Sequence, residues 1–417
     1  MKKLITKCKV KWVMLCMVAI INCMMPIMHV KAGDVPEGSK QEGKFWYLEL
    51  SDGTAEIVWF EESGSKSNAT IPDTIGGKTV TSIGDGAFVN ANIAIVTIPE
   101  SVTRIGNRAF DGCDLLKKIT ISKNVSSIGT NPFTGCRQLN SITVDPANPV
   151  YNSGNGSNAI IETKTNTLIA GCRGTTIPDG VTAIADEAFA YCNIRNIEIP
   201  ESVTSIGKEA FESIDYLEYI VLPSTLKNVG DNAFDGGIPI YAESGSQTEK
   251  LLKDEGYLLV SYKIIKNTSS KHTLSFEKIY SKSETYIEVP DTVTVNKSVF
   301  NVTGIGNNAL SGNKKVKTVT CGKNITYIGK NAFKNCTALT SVIVNSKELK
   351  TIGANAFGGD KKLANITLKT TKLTKKSIGK NAFKGTNKKL VVKVPKSKVK
   401  AYKAYLKDKG NKKVKVK

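Results

Sequence analysis

The sequence predicts a β-rich repeat solenoid, a fold in which short units stack so that each contacts only its neighbours. A six-residue phrase, I-G-x-x-A-F, recurs ten times with small variations. Within each run, the last residues of successive copies lie 22 to 26 residues apart. A fixed period in this range indicates stacked repeats. The ten copies begin at Ile83, Ile105, Ile128, Ile184, Ile206, Val229, Ile305, Ile328, Ile352 and Ile378.

The residues that follow each phrase predict a strand. Two residues and often a Cys come first, and the pattern L-x-x-I-x-I/V comes next. In one copy, Leu116, Ile119 and Ile121 supply these positions. The last two alternate with polar residues, as in a half-buried strand. We expect the Gly after Ile to suit a tight turn, and the Ala-Phe pair to set a small residue beside a large core side chain.

Units of this form resemble the BspA-type leucine-rich repeat, whose consensus is close to L-x-x-I-x-I-P-x-x-V-x-x-I-G-x-x-A-F-x-x-C. The resemblance covers residues 71–394, with two interruptions. It implies a curved, leucine-rich-repeat-like parallel sheet on the concave side, with short turns or 3-10 segments and short capping helices. It also implies display outside bacterial cells and a role in adhesion or ligand binding. Pro132, Ala185 and Leu310 depart from the consensus at single positions, and we expect no effect on the fold.

Two interruptions divide the repeats. The first is an insertion at residues 145–174, whose Gly, Asn and Ser content predicts a surface hairpin or loop. The second, between Phe234 and Leu310, lacks the repeat altogether. Whether the parts on either side form one rod or hinge stays open. The predicted organisation is a signal peptide (1–32), a short linker (33–42), an acidic first leucine-rich repeat block of six repeats (43–262) and a basic second block of four repeats (263–417).

Each predicted block has its own ends. Residues 246–256 predict a helix that starts with the capping-box letters S-Q-T-E and has Gly256 at its C′ position. Residues 395–410 predict a second helix within a Lys-rich C-terminal cap. At the other ends, residues 45–60 and 272–289 each read as a strand pair. Such caps are needed because terminal repeats otherwise expose their cores.

Residues 1–32 predict a secretory signal peptide. Five lysines precede an apolar run at residues 12–21, which is too short to span a bilayer, and V-K-A before Gly33 offers a cleavage site. An uncleaved anchor is disfavoured because Asn22 and Pro26 interrupt the apolar stretch. We expect no transmembrane segment in the mature chain. The predicted location is secreted and extracellular, with retention at the cell surface left open.

Four cysteines, Cys113, Cys136, Cys192 and Cys336, occupy one position of the repeat. This shared register favours buried thiols, since a free Cys packs as a small apolar side chain. Because Cys113 and Cys136 lie in successive repeats, a disulfide between them is the alternative. The sequence has no CxxC or HxxxH spacing, and we expect no metal site and no cofactor.

Charge is divided unequally along the chain. Residues 33–262 carry 17 basic and 30 acidic side chains, whereas residues 263–417 carry 35 basic and seven acidic ones. The basic part is at least a solvated surface, and it also suggests docking on an anionic cell-wall polymer or host glycosaminoglycan, or head-to-tail self-association. Nucleic acid is disfavoured because this part lacks Arg and has few aromatic residues. The candidate polyanion contacts are Lys396, Lys398, Lys400, Lys403, Lys407, Lys412 and Lys413.

Catalysis is disfavoured by the composition. Beyond residue 32 the chain has one His, His272, and it lacks the motifs G-x-S-x-G and H-E-x-x-H. Carboxylates such as Glu198, Glu201 and Glu218 are plentiful, but any acidic surface offers such pairs. We therefore predict that the protein is not an enzyme, with an extracellular hydrolase as the least favoured function.

The leading hypothesis is a non-enzymatic extracellular binding or adhesion protein that presents its repeat surface to protein or glycan partners. The alternative is a structural or anchoring element whose basic C-terminal block docks on anionic cell-envelope polymers. In a solenoid, the outward strand positions form a continuous surface. They are also ordinary solvated strand positions. The candidate surface residues are Lys118, Thr120, Ser141, Thr143, Asn196, Glu198, Tyr219, Val221, Thr318, Thr320, Ser341, Ile343, Asn365 and Thr367.

Overall fold

In the computed structural model, which describes residues 35–61 and 67–417, the chain winds into a β-solenoid of about 15 turns with little helix. The predicted fold class is therefore confirmed. The predicted signal peptide lies outside the described residues. Within the predicted linker, Lys40–Glu42 forms a strand.

The strands and helices are numbered in chain order. Up to the insertion they are β1 (Lys40–Glu42), β2 (Phe45–Glu49), β3 (Ala55–Phe60), β4 (Ser67–Thr70), β5 (Thr74–Ile75), β6 (Lys78–Ile83), β7 (Ile93–Thr97), β8 (Arg104–Ile105), β9 (Lys118–Ile121), β10 (Ser127–Ile128) and β11 (Ser141–Val144). From the insertion onward they are β12 (Tyr151–Asn152), β13 (Ala159–Glu162), β14 (Thr167–Gly171), β15 (Ala183–Ile184), β16 (Asn196–Glu198), β17 (Ser205–Ile206), β18 (Tyr219–Val221), β19 (Asn228–Val229), β20 (Ile240–Glu243), α1 (Gln247–Leu252) and β21 (Leu259–Thr268). The remainder are β22 (Lys271–Tyr280), β23 (Tyr286–Val289), β24 (Thr292–Val295), β25 (Ser298–Ile305), β26 (Thr318–Cys321), β27 (Tyr327–Ile328), β28 (Ser341–Val344), β29 (Thr351–Ile352), β30 (Asn365–Leu368), β31 (Val391–Lys393), the 3-10 turn Lys396–Lys398, α2 (Val399–Asp408) and β32 (Lys415–Val416).

A typical turn of the solenoid contributes one long and one short strand. The long strands come from the I-x-I/V pattern and pair in parallel with those of neighbouring turns, as in β26, β28 and β30. The short strands end at the Ile of I-G and form a second parallel ladder, as in β15, β17 and β19. We call the outward side chains of the long strands the long-strand face.

The Phe of the phrase fills the core of the turns that carry it, and Leu310 takes this place in the seventh copy. Phe88, Phe110, Phe211, Phe333 and Phe357 are all fully buried. Neighbouring rings stack with centroids 4.9 to 5.7 Å apart, close to the spacing of paired strands. The strand ladders and the ring stack therefore share one repeat distance.

The Gly after Ile has a different role from the expected tight turn. Its φ is not positive in any copy, because the left-handed residue is the second variable one, which is most often Asn, as at Asn331 and Asn355. Gly is required instead by close backbone approach. A Cβ on Gly207 would lie 2.4 Å from the backbone N of Asp186, and one on Gly353 would lie 2.5 Å from the carbonyl carbon of the preceding turn's Gly. Each turn thus rests directly on the backbone of the one before.

The departures from the repeat have local explanations. Ala185 stacks on β14 of the insertion, where its N–H donates to Leu168, so it does not meet a preceding I-G turn. Pro132 disfavours the left-handed conformation of Asn131, which is the one residue at its position without positive φ. The side-chain amide of Asn131 donates instead to the carbonyl of Glu187, at 2.7 Å.

The insertion forms the predicted hairpin, with β13 and β14 antiparallel. Its strands are not merely superficial, because Ala159, Ile160 and Ile161 are buried. Strand β14 then pairs in parallel with β15, which returns the chain to the repeat.

The six described cysteines beyond the predicted signal peptide are free thiols. Cys113, Cys136 and Cys336 each donate a hydrogen bond of 3.1 Å to a backbone carbonyl of the preceding turn. Burial raises the pKa of the Cys336 thiol to about 12. Cys113, Cys136 and Cys336 therefore match the expectation of buried thiols, whereas Cys192 is half-buried. The hydrogen bonds give Cys a second role, as a donor between turns.

In one turn Asp360 takes the place of this Cys. Its side chain is fully buried, Oδ1 accepts the N–H of Cys336 at 2.7 Å, and Oδ2 has no hydrogen-bond partner. Burial raises the pKa of Asp360 to about 8. A carboxyl in such a place is held protonated, because ionisation would leave an unpaired buried charge.

The capping elements form largely as predicted. The side chain of Ser246 accepts the N–H of Glu249, but the Glu249 carboxylate accepts from Gly245 rather than from Ser246, so the capping box is displaced by one residue. The expected C′ position of Gly256 is wrong, because α1 ends earlier, with Lys253 as its C-cap. The pair β2 and β3 is antiparallel as expected. The expected pair within residues 272–289 is wrong, because β22 and β23 lie in different sheets.

A hairpin spans the predicted block boundary at residues 262 and 263. Strand β21 pairs in parallel with β20 and antiparallel with β22, and β22 pairs in parallel with β25. A single sheet therefore contains the long strands β16, β18 and β20 on one side of the hairpin and the short strands β27 and β29 on the other. The division into two blocks stays a prediction.

We predict that Gly353→Ala destabilises the protein by about 3 kcal/mol or more, because its methyl group would displace the backbone of the preceding turn. Gly236→Ala is the control, since a Cβ there has nothing within 4 Å. It should change stability by less than about 1 kcal/mol. Guanidinium denaturation compares the two, and equal effects would contradict the stacking explanation.

We predict that Asp360→Asn stabilises the protein at pH 7.5 by about 3–5 kcal/mol and has little effect at pH 3.5. With the folded pKa raised from 3.8 to about 8, stability falls as pH rises between these values, since only the unfolded state releases its proton there. The amide keeps an acceptor for Cys336.

The matched control is Asp114→Asn, because Asp114 is exposed. Unfolding curves measured from pH 3.5 to 8.5 should show a pH-dependent gain for the Asp360 variant alone. A constant difference between that variant and the parent at all pH values would contradict the assignment.

Candidate binding surface

The predicted surface residues alternate outward along the long strands. Thirteen of the fourteen are exposed or half-buried. The exception is Val221, which is 4% exposed and packs in the core cluster that also contains Tyr241 and Val289. The expectation of an exposed Val221 is wrong because the second half of the chain covers the end of β18.

Strand register divides the remaining residues into three patches. The first joins β9 and β11, where Lys118 faces Ser141 and Thr120 faces Thr143 with hydroxyls 3.0 Å apart. The second joins β16 and β18. The third joins three strands and aligns Thr318, Ser341 and Asn365 in one row and Thr320, Ile343 and Thr367 in the next.

The second patch is occupied by another part of the same chain. The turn between β24 and β25 presents the N–H of Lys297 to both carboxylate oxygens of Glu198, at 3.1 and 3.0 Å. The N–H of Thr294 donates to the hydroxyl of Tyr219 at 3.3 Å. Glu198 and Tyr219 therefore hold the hairpin, which leaves Asn196 as the exposed predicted residue of this patch.

A cavity of about 830 Å³ lies where this hairpin meets the second patch. Its walls include Tyr219 from the first half and Glu288, Asp291 and Thr320 from the second. The N–H of Lys323, 2.6 Å from Asp291, holds the pKa of that carboxyl below its usual value. Sequence reasoning missed this cavity, since its walls come from segments about 100 residues apart.

The one histidine in the described residues, His272, lies on β22. His272 contacts Asn267 at 2.7 Å and packs its ring on Phe300. Among residues 35–61 and 67–417, no group of three or more His, Cys, Asp or Glu side chains could hold a metal ion. Neither helix in the described part of the chain is long and apolar enough to cross a membrane.

The predicted polyanion contacts cluster around α2. Lys400, Lys403 and Lys407 are exposed on one side, while Tyr402 and Leu406 bury the other side. Lys396, Lys412 and Lys413 are also exposed, and Lys398 is half-buried.

A second basic feature extends away from this helix. The motif N/D-K-K-V/L occurs four times, and each copy leads into a strand of the third patch's sheet. The Asn313 side chain accepts the N–H of Lys315 at 2.9 Å, and Asn387 likewise accepts from Lys389 at 2.8 Å. These turns project exposed lysines along one edge. We call this set the lysine row: Lys314, Lys315, Lys361, Lys362, Lys388, Lys389, Lys412 and Lys413.

Comparison with solved structures finds similar bacterial proteins. A leucine-rich cell surface protein from Faecalibacterium prausnitzii is 22% identical, with 91% of this chain and 99% of that one covered and a TM-score of 0.36. A leucine-rich repeat protein from Bacteroides ovatus is 21% identical, with the same coverages and a TM-score of 0.35. The pneumococcal vaccine antigen PcpA is 17% identical, with 85% and 81% covered and a TM-score of 0.27. No curated protein matches the sequence.

A family model gives the most direct assignment. The model for the BspA-type leucine-rich repeat region matches residues 58–169, 166–240 and 280–409. These ranges cover most of the chain and coincide with the turns that carry the I-G-x-x-A-F phrase. The chain belongs to the BspA-type leucine-rich repeat family.

Proposed function

We propose that this chain is a non-enzymatic binding protein of the bacterial exterior, which presents its long-strand face to a protein or glycan. The observation that carries the proposal is the third patch. There, six outward side chains form two aligned rows on three paired strands, and none is charged. Membership of a family of cell-surface proteins supports the location, as does the predicted signal peptide.

The physical character of the third patch suits an extended partner. Paired strands hold its side chains at spacings of about 4.8 Å, so the array is preorganised before binding. Small hydroxyl and amide groups such as Thr320, Ser341 and Asn365 offer both donors and acceptors to peptide or sugar groups. Ile343 supplies an apolar contact at the centre of the patch.

Anchoring on an anionic cell-envelope polymer is the second candidate function. It is favoured by the lysine row and by the exposed lysines of α2. No ion pair joins these side chains to residues in the described part of the chain. The basic surface is therefore available to an external polyanion.

We predict that Ser341→Arg weakens binding of the full chain to decellularised host matrix by about ten-fold or more, because the long side chain covers the third patch. Thr351→Arg adds the same charge to an exposed position of short strand β29 and should have less than about two-fold effect. Surface plasmon resonance on immobilised matrix measures both. Equal losses for the two variants, or no binding by the parent protein, would contradict the proposed surface.

For the anchoring function, we predict that reversing Lys400, Lys403 and Lys407 to Glu lowers adsorption to purified, teichoic-acid-containing cell wall by about ten-fold at 50 mM salt. The difference should shrink at 500 mM salt, where charges are screened.

The charge-matched control reverses Lys263, Lys266 and Lys271, which are exposed on the β21–β22 hairpin. Sedimentation of the full-length variants with wall fragments measures adsorption. Anchoring through α2 requires a smaller loss for this control, and adsorption that is insensitive to salt would rule that function out.

A further inference from the structure

All five arginines of the chain lie between residues 104 and 195, in its acidic part. Arg104 forms ion pairs with Glu56 and Asp85, and Arg108 forms one with Glu187. Arg137, Arg173 and Arg195 are exposed and form no ion pair with any residue in the described ranges. Three unpaired guanidinium groups in an acidic surface require an explanation beyond general solubility.

Two of these arginines share a concave pocket of about 500 Å³. Arg173, Arg195 and Tyr216 line it together with Asn193 and Asn196. Tyr216 is 61% exposed, which leaves its ring accessible to a ligand. The pocket thus combines two guanidinium groups, one accessible aromatic ring and two side-chain amides.

The insertion fixes the backbone position of Arg173. The N–H of Arg173 donates to the carbonyl of Leu139 at 3.1 Å. A Cβ on Gly174 would lie 2.5 Å from the carbonyl oxygen of Asn140, and the side chain of Asn158 donates to Gly174 at 3.0 Å. The backbone beneath this guanidinium is therefore set against the preceding turn, which gives the insertion a function in building the pocket.

The repeat fixes the other wall. The carbonyl of Arg195 accepts the N–H of Glu218 at 2.8 Å, and Ile194 and Ile197 bury their side chains on either side. Tyr216 lies on the next turn, just before buried Leu217. A pocket built on stacked turns needs little ordering when a ligand binds.

We propose that this pocket binds a carboxylated sugar unit of a glycan. This inference names a ligand class and rests on the proposed binding function. Guanidinium groups match a carboxylate by two parallel hydrogen bonds, which Lys cannot reproduce. The face of Tyr216 stacks on the sugar ring, and Asn193 and Asn196 bond its hydroxyls. A volume near 500 Å³ accommodates one or two sugar units.

The surrounding charge selects a single acidic sugar over a continuous polyanion. Asp215 and Glu218 flank Tyr216 in sequence and are exposed. The part of the chain that holds the pocket, residues 33–262, carries a net charge of −13. A polymer with closely spaced anionic groups is repelled by this field, whereas one carboxylate between two arginines is not.

Protein-observed NMR titration of the full chain tests the pocket with glucuronate, glucose and inorganic sulfate as probes. We expect glucuronate to bind with a Kd of about 1 mM, and glucose and sulfate about ten-fold more weakly or not at all. Arg195→Lys, which keeps the charge and removes the fork, should weaken glucuronate binding about ten-fold, as should Tyr216→Ala. Arg137→Lys, outside the pocket, is the control.

Equal affinity for glucose, equal affinity for sulfate, or equal effects of the Arg195 and Arg137 variants would each overturn the proposal. The test is independent of the third patch. If the full chain binds matrix in a Ser341-dependent way and glucuronate does not bind, the pocket proposal fails alone. If glucuronate binds as expected and matrix does not, the chain remains a binding protein and the third patch is excluded.

Discussion

Close stacking of one backbone turn on the next is the constraint on which the structure depends. It is most severe at the Gly after Ile, where even a methyl group would meet the preceding turn, as at Gly207 and Gly353. This approach lets the Phe rings stack at the strand spacing and lets Cys thiols reach carbonyls one turn away. The outward side chains of neighbouring turns are separated by the same distance. The regular surface is therefore a consequence of the stacking in the core.

The hairpin of β21 and β22 changes what this regular surface can do. Because it links the long-strand sheet of one half to the short-strand sheet of the other, the long-strand face is not one continuous array. It is divided into patches of different chemistry. The β24–β25 turn covers one of them through Glu198 and Tyr219 and leaves a cavity beside it. The uncharged third patch, the lysine row and the arginine pocket lie at separate places on the solenoid.

The sequence was sufficient to predict the structural features that recur in every repeat. It was insufficient to predict the features that occur only once in the chain. The phrase predicted the fold, the outward positions and the buried thiols, because each copy reports on the same local environment. It did not predict the burial of Val221, since that depends on a hairpin about 70 residues away. The expectation that the Gly after Ile forms a tight turn was wrong. A Gly in the sequence can indicate either a positive φ or a close backbone approach, and the sequence alone does not distinguish the two. The arginine pocket was missed because its residues come from the insertion and from two different turns.

Hydrogen exchange followed by mass spectrometry tests most directly whether turn-on-turn stacking runs through the whole chain. We expect the amides of residues 259–262, which pair with β20, and of residues 273–276, which pair with β25, to exchange as slowly as those of β28, within about ten-fold. Slow exchange on both sides of the hairpin, with exchange at unprotected rates within it, would contradict a continuous stack. The patches would then belong to two independent solenoids.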